Sequence, residues 1–530
     1  MRTRVLPLLT AALASAIVLA GCSAGTDAAT DEQGGEPRAG GTLRVSVSSD
    51  FSCLDGQQAR GGELNIASQL LEGLTEQDPE TGELVGRLAT GWEVNDDASA
   101  FTFALRDDVV FHDGTPFTAQ SVADNFTEVA NLGARSSLGQ TYLAGLRGVE
   151  VVDEHTARVV FDGPNAQFLQ ATSTVTLGFY AAQTLAKTPE ERCQGDVIGT
   201  GPFVFEAYTG NQTVELVRNE DYGWASSIAD HEGPAYLEGI VFTVTPEASV
   251  RNGSLLSGQT DVDTAVTVQD RPNLEAQGFP VVTYANPGAP TNLWPNVTSG
   301  PLADPAVRSA ISRALDRDEL SEVLFEEQEG ATNTVSQSTP GYASQAELLS
   351  HDPELAGELL DDAGWTLGAD GVREKDGERL EISITDYYQY NYIELIQEQL
   401  AEVGVAAEIN TVTFAERSAI LESGDFEFIT GNLTRADPDI IRTIYSIDQQ
   451  NTLQRTERIP LDDELEATLA IGDEAERAAA LTGPISQQLI EQGYAIPLVE
   501  TLAVLATGEN VHGYRFDATA RQSYYDTWLS

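Results

Sequence analysis

Lysine is almost missing from this chain of 530 residues: only Lys187 and Lys375 occur, and 29 basic side chains face 83 acidic ones, for a formal charge of -54. So acidic a surface disfavours nucleic acid and anionic lipid, both of which need a positive footprint. The charge says nothing about a small ligand. Methionine occurs only as the initiator, and His112, His155, His231, His351 and His512 are scattered, so local spacing assembles no metal cluster. Gly199-Thr-Gly-Pro-Phe203 lacks the spacing of a phosphate-cradling loop and reads as a tight turn into a strand. Neither a Gly-x-Ser-x-Gly elbow nor a His-Glu-x-x-His pair is found. The chemistry therefore reads as binding, with no catalytic residue, cofactor or metal expected. Cysteine is scarce too: beyond Cys22 only Cys53 and Cys193 remain. In an exported chain that even pair is compatible with one disulfide, the alternative being two separate buried thiols.

Long apolar runs are absent apart from the start, MRTRVLPLLTAALASAIVLAGCSAG, where two arginines precede an apolar stretch from Val5 to Ala20. A basic start, a short apolar core and small residues before a cleavage point are the pattern of a secretory signal segment, expected over residues 1–21. Leu19-Ala-Gly-Cys22 resembles the lipobox of bacterial lipoproteins. That resemblance implies acylation of Cys22 and a place outside the cytoplasm, anchored by lipid to the outer face of the cell membrane. Residues 22–40, rich in Gly, Ala, Thr, Asp and Glu without apolar pattern, read as a flexible tether.

The body from Gly41 to Ser530 is too long for one ordinary core. Leu43, Val45 and Val47 alternate as a first strand, helix-like text surrounds Ile66 to Leu74, and Phe101, Phe103 and Leu105 alternate again. Val149 to Phe161 reads as a hairpin, and a second strand pair turns at Gly210-Asn211. Asp304-Pro305 and Asp352-Pro353 are paired cap and first-turn signals for two helices. Strand, helix, strand then recurs at Leu380–Ile384, Ile393–Val403, Ala406–Thr411 and Phe426–Thr430, the α/β rhythm. The stretch Gly431 to Thr443, GNLTRADPDIIRT, is expected to leave that last strand as a loop, with Asp437-Pro438 starting a helix that carries Ile440, Ile441 and Ile444.

Several segments in order are similar to the family-5 extracellular solute-binding proteins of bacterial ABC importers: LATGW at Leu88–Trp92, VFHDGTPFTA at Val110–Ala119, GTGPF at Gly199–Phe203, RNEDYGW at Arg218–Trp224, LLSGQTD at Leu255–Asp261, the run from Asn292 to Arg317, and HDPELAGELLDDAGW at His351–Trp365. Together they span nearly the whole body. The resemblance implies a two-lobed α/β fold of the periplasmic-binding-protein type (type II, cluster C). Its first lobe would cover 41–285 with an extra subdomain at about 76–200, its second lobe 286–500, and residues 501–530 would return to the first. It further implies a monomer that captures a small solute, an oligopeptide or a peptide-like or opine-like compound, between closing lobes. Delivery would be to an ABC permease pair with cytoplasmic ATPases. The rivals are a secreted lipid-anchored hydrolase, a structural surface protein and, within the family, a nickel-chelate or oligosaccharide binder.

The same resemblance places the loop with Ser49 and Asp50 on the cleft, Trp294 and Asn296 at the entry to the second lobe, and Tyr387, Tyr388 and Tyr390 at a strand end, where α/β lobes meet ligands. It brings Cys53 near Cys193. Peptide-binding members carry Trp-x-x-Asp-Tyr-x-Asp-Pro, whose first Asp pairs with the peptide ammonium; anchored on Asp437-Pro438, that pattern puts Gly431 at the tryptophan and Thr434 at the aspartate. The expected carboxylate is missing. Asn432, Thr434, Arg435 and Asp437 remain ligand candidates there, and an arginine would favour an anionic group on the solute.

Overall fold

The computed structural model describes residues 35–530, so the leader, the lipobox at Cys22 and most of the tether lie outside the described residues. Among the described residues no helix is long and apolar enough to cross a membrane.

Two sheets organise the body. The first has seven strands in the order Val281–Ala285, Leu502–Thr507, Val262–Asp263, Thr42–Val47, Gly239–Val244, Thr213–Arg218 and Phe203–Thr209. The second has five: Ala406–Thr411, Glu381–Asp386, Phe428–Thr434, Gly288–Pro295 and Ile496–Pro497. The chain therefore passes from one sheet to the other at Asn286-Pro287 and comes back through Leu498–Thr501. These crossing segments are hydrogen-bonded: the Asn286 amide donates to the Thr501 carbonyl at 2.9 Å, and Thr291 and Val499 pair at 3.0 Å. The buried apolar residues of the two sheets fall into separate clusters. The fold is a two-lobed α/β one of the periplasmic-binding-protein type, with the crossing segments as its hinge.

Extra elements enlarge the first lobe. Ala89–Val94, Ala100–Leu105, Thr156–Phe161 and Leu146–Asp153 make a four-stranded antiparallel sheet. Helix Ala119–Leu132 buries Val122, Phe126 and Val129 along one side. Phe168 is the hub of this packing, with Phe161, Phe101 and Phe126 rings at 4.9, 5.0 and 5.8 Å in edge contacts, each worth about 0.5–1.5 kcal/mol beyond burial. Its core is continuous with that of the first lobe.

His112 fastens this layer down. The Gly199 amide donates to Nδ1 at 3.2 Å, so the proton sits on Nε2, which donates to the Gly201 carbonyl at 3.0 Å. These bonds tie His112 to GTGPF, 87 and 89 residues along the chain. The glycines there are needed for close approach: a Cβ on Gly199 would stand 2.1 Å from the Leu70 carbonyl oxygen, and one on Gly201 2.5 Å from that of Gln69. A disulfide joins Cys53 to Cys193 across 140 residues, beside the Leu54 amide bonded to the Cys193 carbonyl at 3.0 Å.

In the second lobe Asp304 and Asp352 cap helices Pro305–Ala314 and Pro353–Asp362 through their carboxylates. Three expectations need correction. The strand does not stop at Thr430 but runs Phe428–Thr434, because Gly431, Leu433 and Thr434 all find partners on Gly288–Pro295. The next helix is Ile440–Tyr445, beginning after Asp439. The helix expected from Ile66 to Leu74 is Glu63–Leu70, because the backbone turns extended at Leu71, whose amide makes the last helical bond to the Ala67 carbonyl. The two lysines fall one on each lobe: Lys187 pairs with Asp196 in the first and Lys375 ends strand Arg373–Lys375 in the second.

Two measurements probe this framework. Replacing Cys53 and Cys193 by Ser should lower unfolding free energy in urea by about 2–5 kcal/mol, because a long loop is released in the unfolded state; unchanged stability would mean the bridge constrains nothing. Burial holds His112 down at about 4, against an ordinary 6.5. Below 6.5 the unfolded chain takes a proton that folded His112 refuses, so its contribution is complete above that pH and is lost as pH falls toward 4. Between about pH 7 and about pH 5 the wild type should lose more stability than His112→Gln, by up to about 1.4 kcal/mol per unit. Parallel losses would show that His112 is not the group concerned.

Candidate functional site

Both lobes turn the carboxyl ends of parallel strands toward the hinge. In the first, Thr42–Val47 runs parallel to Gly239–Val244 and Val262–Asp263; in the second, Glu381–Asp386 runs parallel to Ala406–Thr411 and Phe428–Thr434. Such ends carry loops and unsatisfied backbone groups, which is where α/β sheets bind ligands. The cleft between them is the candidate site.

On the first lobe, Ser48 and Ser49 are exposed in the loop that leaves Val47. Asp50 is occupied: its carboxylate accepts the Asn211 amide at 2.8 Å and the Tyr208 hydroxyl at 3.2 Å, fixing the hairpin turn. Behind this loop the disulfide and a fully buried Asp55–Arg192 pair at 3.0 Å stiffen the wall.

On the second lobe, Asp386 is buried and its two oxygens accept the amides of Tyr388 and Tyr390 at 3.1 and 3.0 Å, with the Thr430 hydroxyl at 3.0 Å. That carboxylate shapes the loop that carries the tyrosines. Tyr387, Tyr388, Tyr390 and Tyr392 form a stack with successive ring centres 4.3, 5.2 and 5.1 Å apart, and the Arg417 guanidinium lies 4.7 Å over Tyr387. Burial raises the Tyr387 and Tyr390 hydroxyls above their ordinary range, keeping them neutral donors. Asn432 donates to the Tyr390 hydroxyl at 3.0 Å, so these two candidates are brought together, with Tyr388 left 47% exposed at the rim.

Trp294 and Asn296 are not brought to the cleft. Strand Gly288–Pro295 starts at the hinge, and at about 3.3 Å per residue Asn296 is about 25 Å farther on. There Asn296 donates to the Gly424 carbonyl at 3.0 Å and accepts Thr298. Trp294 is buried in a core cluster of the second lobe. It lies across Gly431, whose Cβ would meet the indole at 2.1 Å. Glycine at the position where peptide-binding relatives show tryptophan thus has a cause: Trp294 from the neighbouring strand fills that space.

Thr434 pairs with Gly288, and the Arg435 amide donates to the Pro287 carbonyl at 3.0 Å, beside the hinge. The Arg435 side chain crosses the cleft. It donates to Thr443 Oγ1 at 2.8 Å and to Gln167 Oε1, and lies 4.7 Å over the Tyr142 ring of the first lobe. Gln167 and Tyr142 carried no sequence signal. Other lobe-to-lobe contacts are the Ala166 amide to the Leu469 carbonyl at 3.0 Å and Arg271 to Glu327 at 2.7 Å. Asp437 does not cap by itself: it accepts the Asp439 amide at 2.7 Å, but its main partner is Arg477, held bidentately at 2.7 and 2.6 Å. Burial alone would raise the Asp437 carboxyl; Arg477 overcomes this and leaves it below the ordinary range.

One acidic group was missed. Glu500 lies in the returning hinge segment, 5% exposed, with Oε1 lacking a hydrogen-bond partner. The signal was present as a single carboxylate in the otherwise apolar run AIPLVETLAVLA. Among the described residues no group of three or more His, Cys, Asp or Glu could hold a metal ion.

Comparison with known proteins places this geometry. The family model described as bacterial extracellular solute-binding proteins, family 5 Middle, matches residues 83–452. A probable di/tripeptide-binding protein 5 of Pseudomonas aeruginosa (strain UCBPP-PA14) is 27% identical over 521 residues, covering 92% of this chain and 96% of the relative. A nickel-binding periplasmic protein of Escherichia coli (strain K12) is 27% identical over 79% of this chain and 81% of its own length. Among solved structures, NikA from Brucella suis in complex with Fe(III)-EDTA superposes with a TM-score of 0.80 at 24% identity, covering 92% of this chain and all of that one.

The Asp437–Arg477 pair offers a direct test of how the second wall is held. Asp437→Asn, which strands a buried guanidinium, should cost about 3–5 kcal/mol in urea unfolding, while the double change Asp437→Leu with Arg477→Met should recover most of it. A single variant as stable as the wild type would remove the pair from the account.

Proposed function

This chain belongs to the family-5 bacterial extracellular solute-binding proteins, and from that premise we propose that it captures an oligopeptide or a peptide-like or opine-like compound between its lobes. It binds a small solute outside the cytoplasm, interacts with an ABC permease served by cytoplasmic ATPases, and is a binding protein rather than an enzyme. The observation that carries the finer reading is the meeting of Tyr388, Tyr390 and Asn432 at the cleft end of adjacent strands. Tyrosine offers apolar area with a polar tip, and an amide offers both donor and acceptor. Together they suit a solute with alternating apolar and amide groups. The name of the Pseudomonas relative, a probable di/tripeptide-binding protein, supports the same class.

A nickel chelate is less well served, because the tyrosine and asparagine wall supplies no imidazole or thioether. We further propose that residues 41–285 and 501–530 act as one rigid body and 286–500 as the other. The protein is held as a monomer on the outer face of the membrane through lipid on Cys22.

Native mass spectrometry of the protein as purified, followed by thermal-shift screening of tripeptides, opines, oligosaccharides and metal chelates, tests the reading. A peptide or opine should raise the midpoint of unfolding in proportion to the logarithm of its concentration. Stabilisation by chelates or sugars alone would replace the proposed solute class, and a chain indifferent to every solute would remove the binding role.

A further inference from the structure

Buried carboxylates in this protein are matched with a counter-charge or, at Asp386, with donors to both oxygens, whereas Glu500 Oε1 has neither. Asp55, Glu72, Asp263, Asp437, Asp439 and Asp462 each lie within 3.0 Å of an arginine nitrogen. So does Asp261, Asp526 pairs with His231, and Asp386 accepts two amides. The pattern follows from desolvation: a carboxylate out of water is tolerated only when cations or donors replace the water.

Glu500 breaks the pattern. It is as buried as the others, yet the groups beside it are the Ser336 hydroxyl, the Gln337 amide and the like charge of Glu329, with no cation among them. Its backbone is fixed on both sides: the Glu500 amide donates to the Glu329 carbonyl at 2.9 Å, and Gln328 donates to the Glu500 carbonyl at 3.0 Å. The backbone that carries the side chain is thus held in place. Its place is the hinge, between Val499 and Thr501, whose carbonyls accept the Thr291 and Asn286 amides.

Resting on the solute-binding reading above, we propose that Glu500 is the specificity-determining carboxylate of this site, and that the missing counter-charge is an ammonium or guanidinium group of the bound solute. The family's carboxylate is absent at Thr434, and Arg435, the group that would have favoured an anion, turns its two terminal nitrogens to Thr443 and Gln167, with Asp439 3.6 Å away. The free acidic valence therefore lies on the hinge rather than on the second lobe. A metal ion is a poorer occupant, since one carboxylate and one hydroxyl fall short of the six or more oxygens a hard cation collects. Burial pushes the empty Glu500 carboxyl up to about 7, and Glu329 pushes the same way. An arriving cation requires the ionised form, so affinity should rise as pH passes upward through 7.

The test uses a mixture of tripeptides with free amino ends and the same mixture N-acetylated, offered to the wild type and to Glu500→Gln. Thermal shift and native mass spectrometry are the readouts, and circular dichroism confirms that the variant folds. The free-amine mixture should stabilise the wild type and the acetylated one should not, and Glu500→Gln should bind the former at least tenfold more weakly. Equal binding by the variant, or equal binding of the acetylated mixture, overturns the assignment while leaving solute binding intact. If a different solute copurifies and neither mixture binds, its charge decides: a cation lost from Glu500→Gln upholds the assignment, and a neutral or anionic solute overturns it. A chain that takes up no solute overturns both readings.

Discussion

Everything in this molecule turns on two short backbone segments that lie side by side. Asn286 is bonded to Thr501, and Thr291 to Val499, while the apolar clusters of the two lobes stay separate. Hydrophobic burial stabilises each lobe alone, so it places no large barrier in the way of their relative movement. What spans the gap is polar and sparse: Arg435 with Gln167, Arg271 with Glu327, one amide from Ala166. The partly exposed Arg271–Glu327 pair contributes about 0–1 kcal/mol, and the buried Arg435–Gln167 contact joins a charge to a neutral amide. A solute that fits the cleft thus has little intrinsic closure energy to compete with, and its own contacts can decide the balance.

Stiffness within each lobe is the complement of that freedom. Arginine rather than lysine does the internal work, through bidentate contacts such as Arg477 on Asp437 and Arg455 on Asp462. A planar guanidinium loses less freedom per bond made and is more easily dehydrated than an ammonium. The acid-rich composition leaves carboxylates to spare for the surface, whereas those inside are selected by geometry.

Much of the fold was legible because it rests on local rules. Asp304-Pro305 and Asp352-Pro353 start helices as their chemistry dictates, and the alternation of Leu43 with Val45 makes a strand with those residues inward. The order of short segments carried the two-lobed arrangement. Contacts across long intervals escaped. Nothing near Arg435 announces Gln167, and nothing near Gly431 announces the indole of Trp294, so a strand looked like a loop and Trp294 read equally as core or as ligand platform. Asn296 was misplaced for a related reason: the motif places it by sequence, but only strand direction shows which end of the sheet it occupies. Glu500 was readable as a lone acid in an apolar run, and was missed because attention to motifs passes over a residue that belongs to none.

Lysine scarcity, which at the outset only narrowed the list of partners, has a practical side. Lys187 stands on the first lobe and Lys375 on the second, and the chain has no other ε-amine. Amine-directed dyes would therefore find one side-chain target on each half, without any engineered cysteine and without disturbing the native disulfide. The distance between the two labels is a ruler across the cleft, built into the composition of the protein itself.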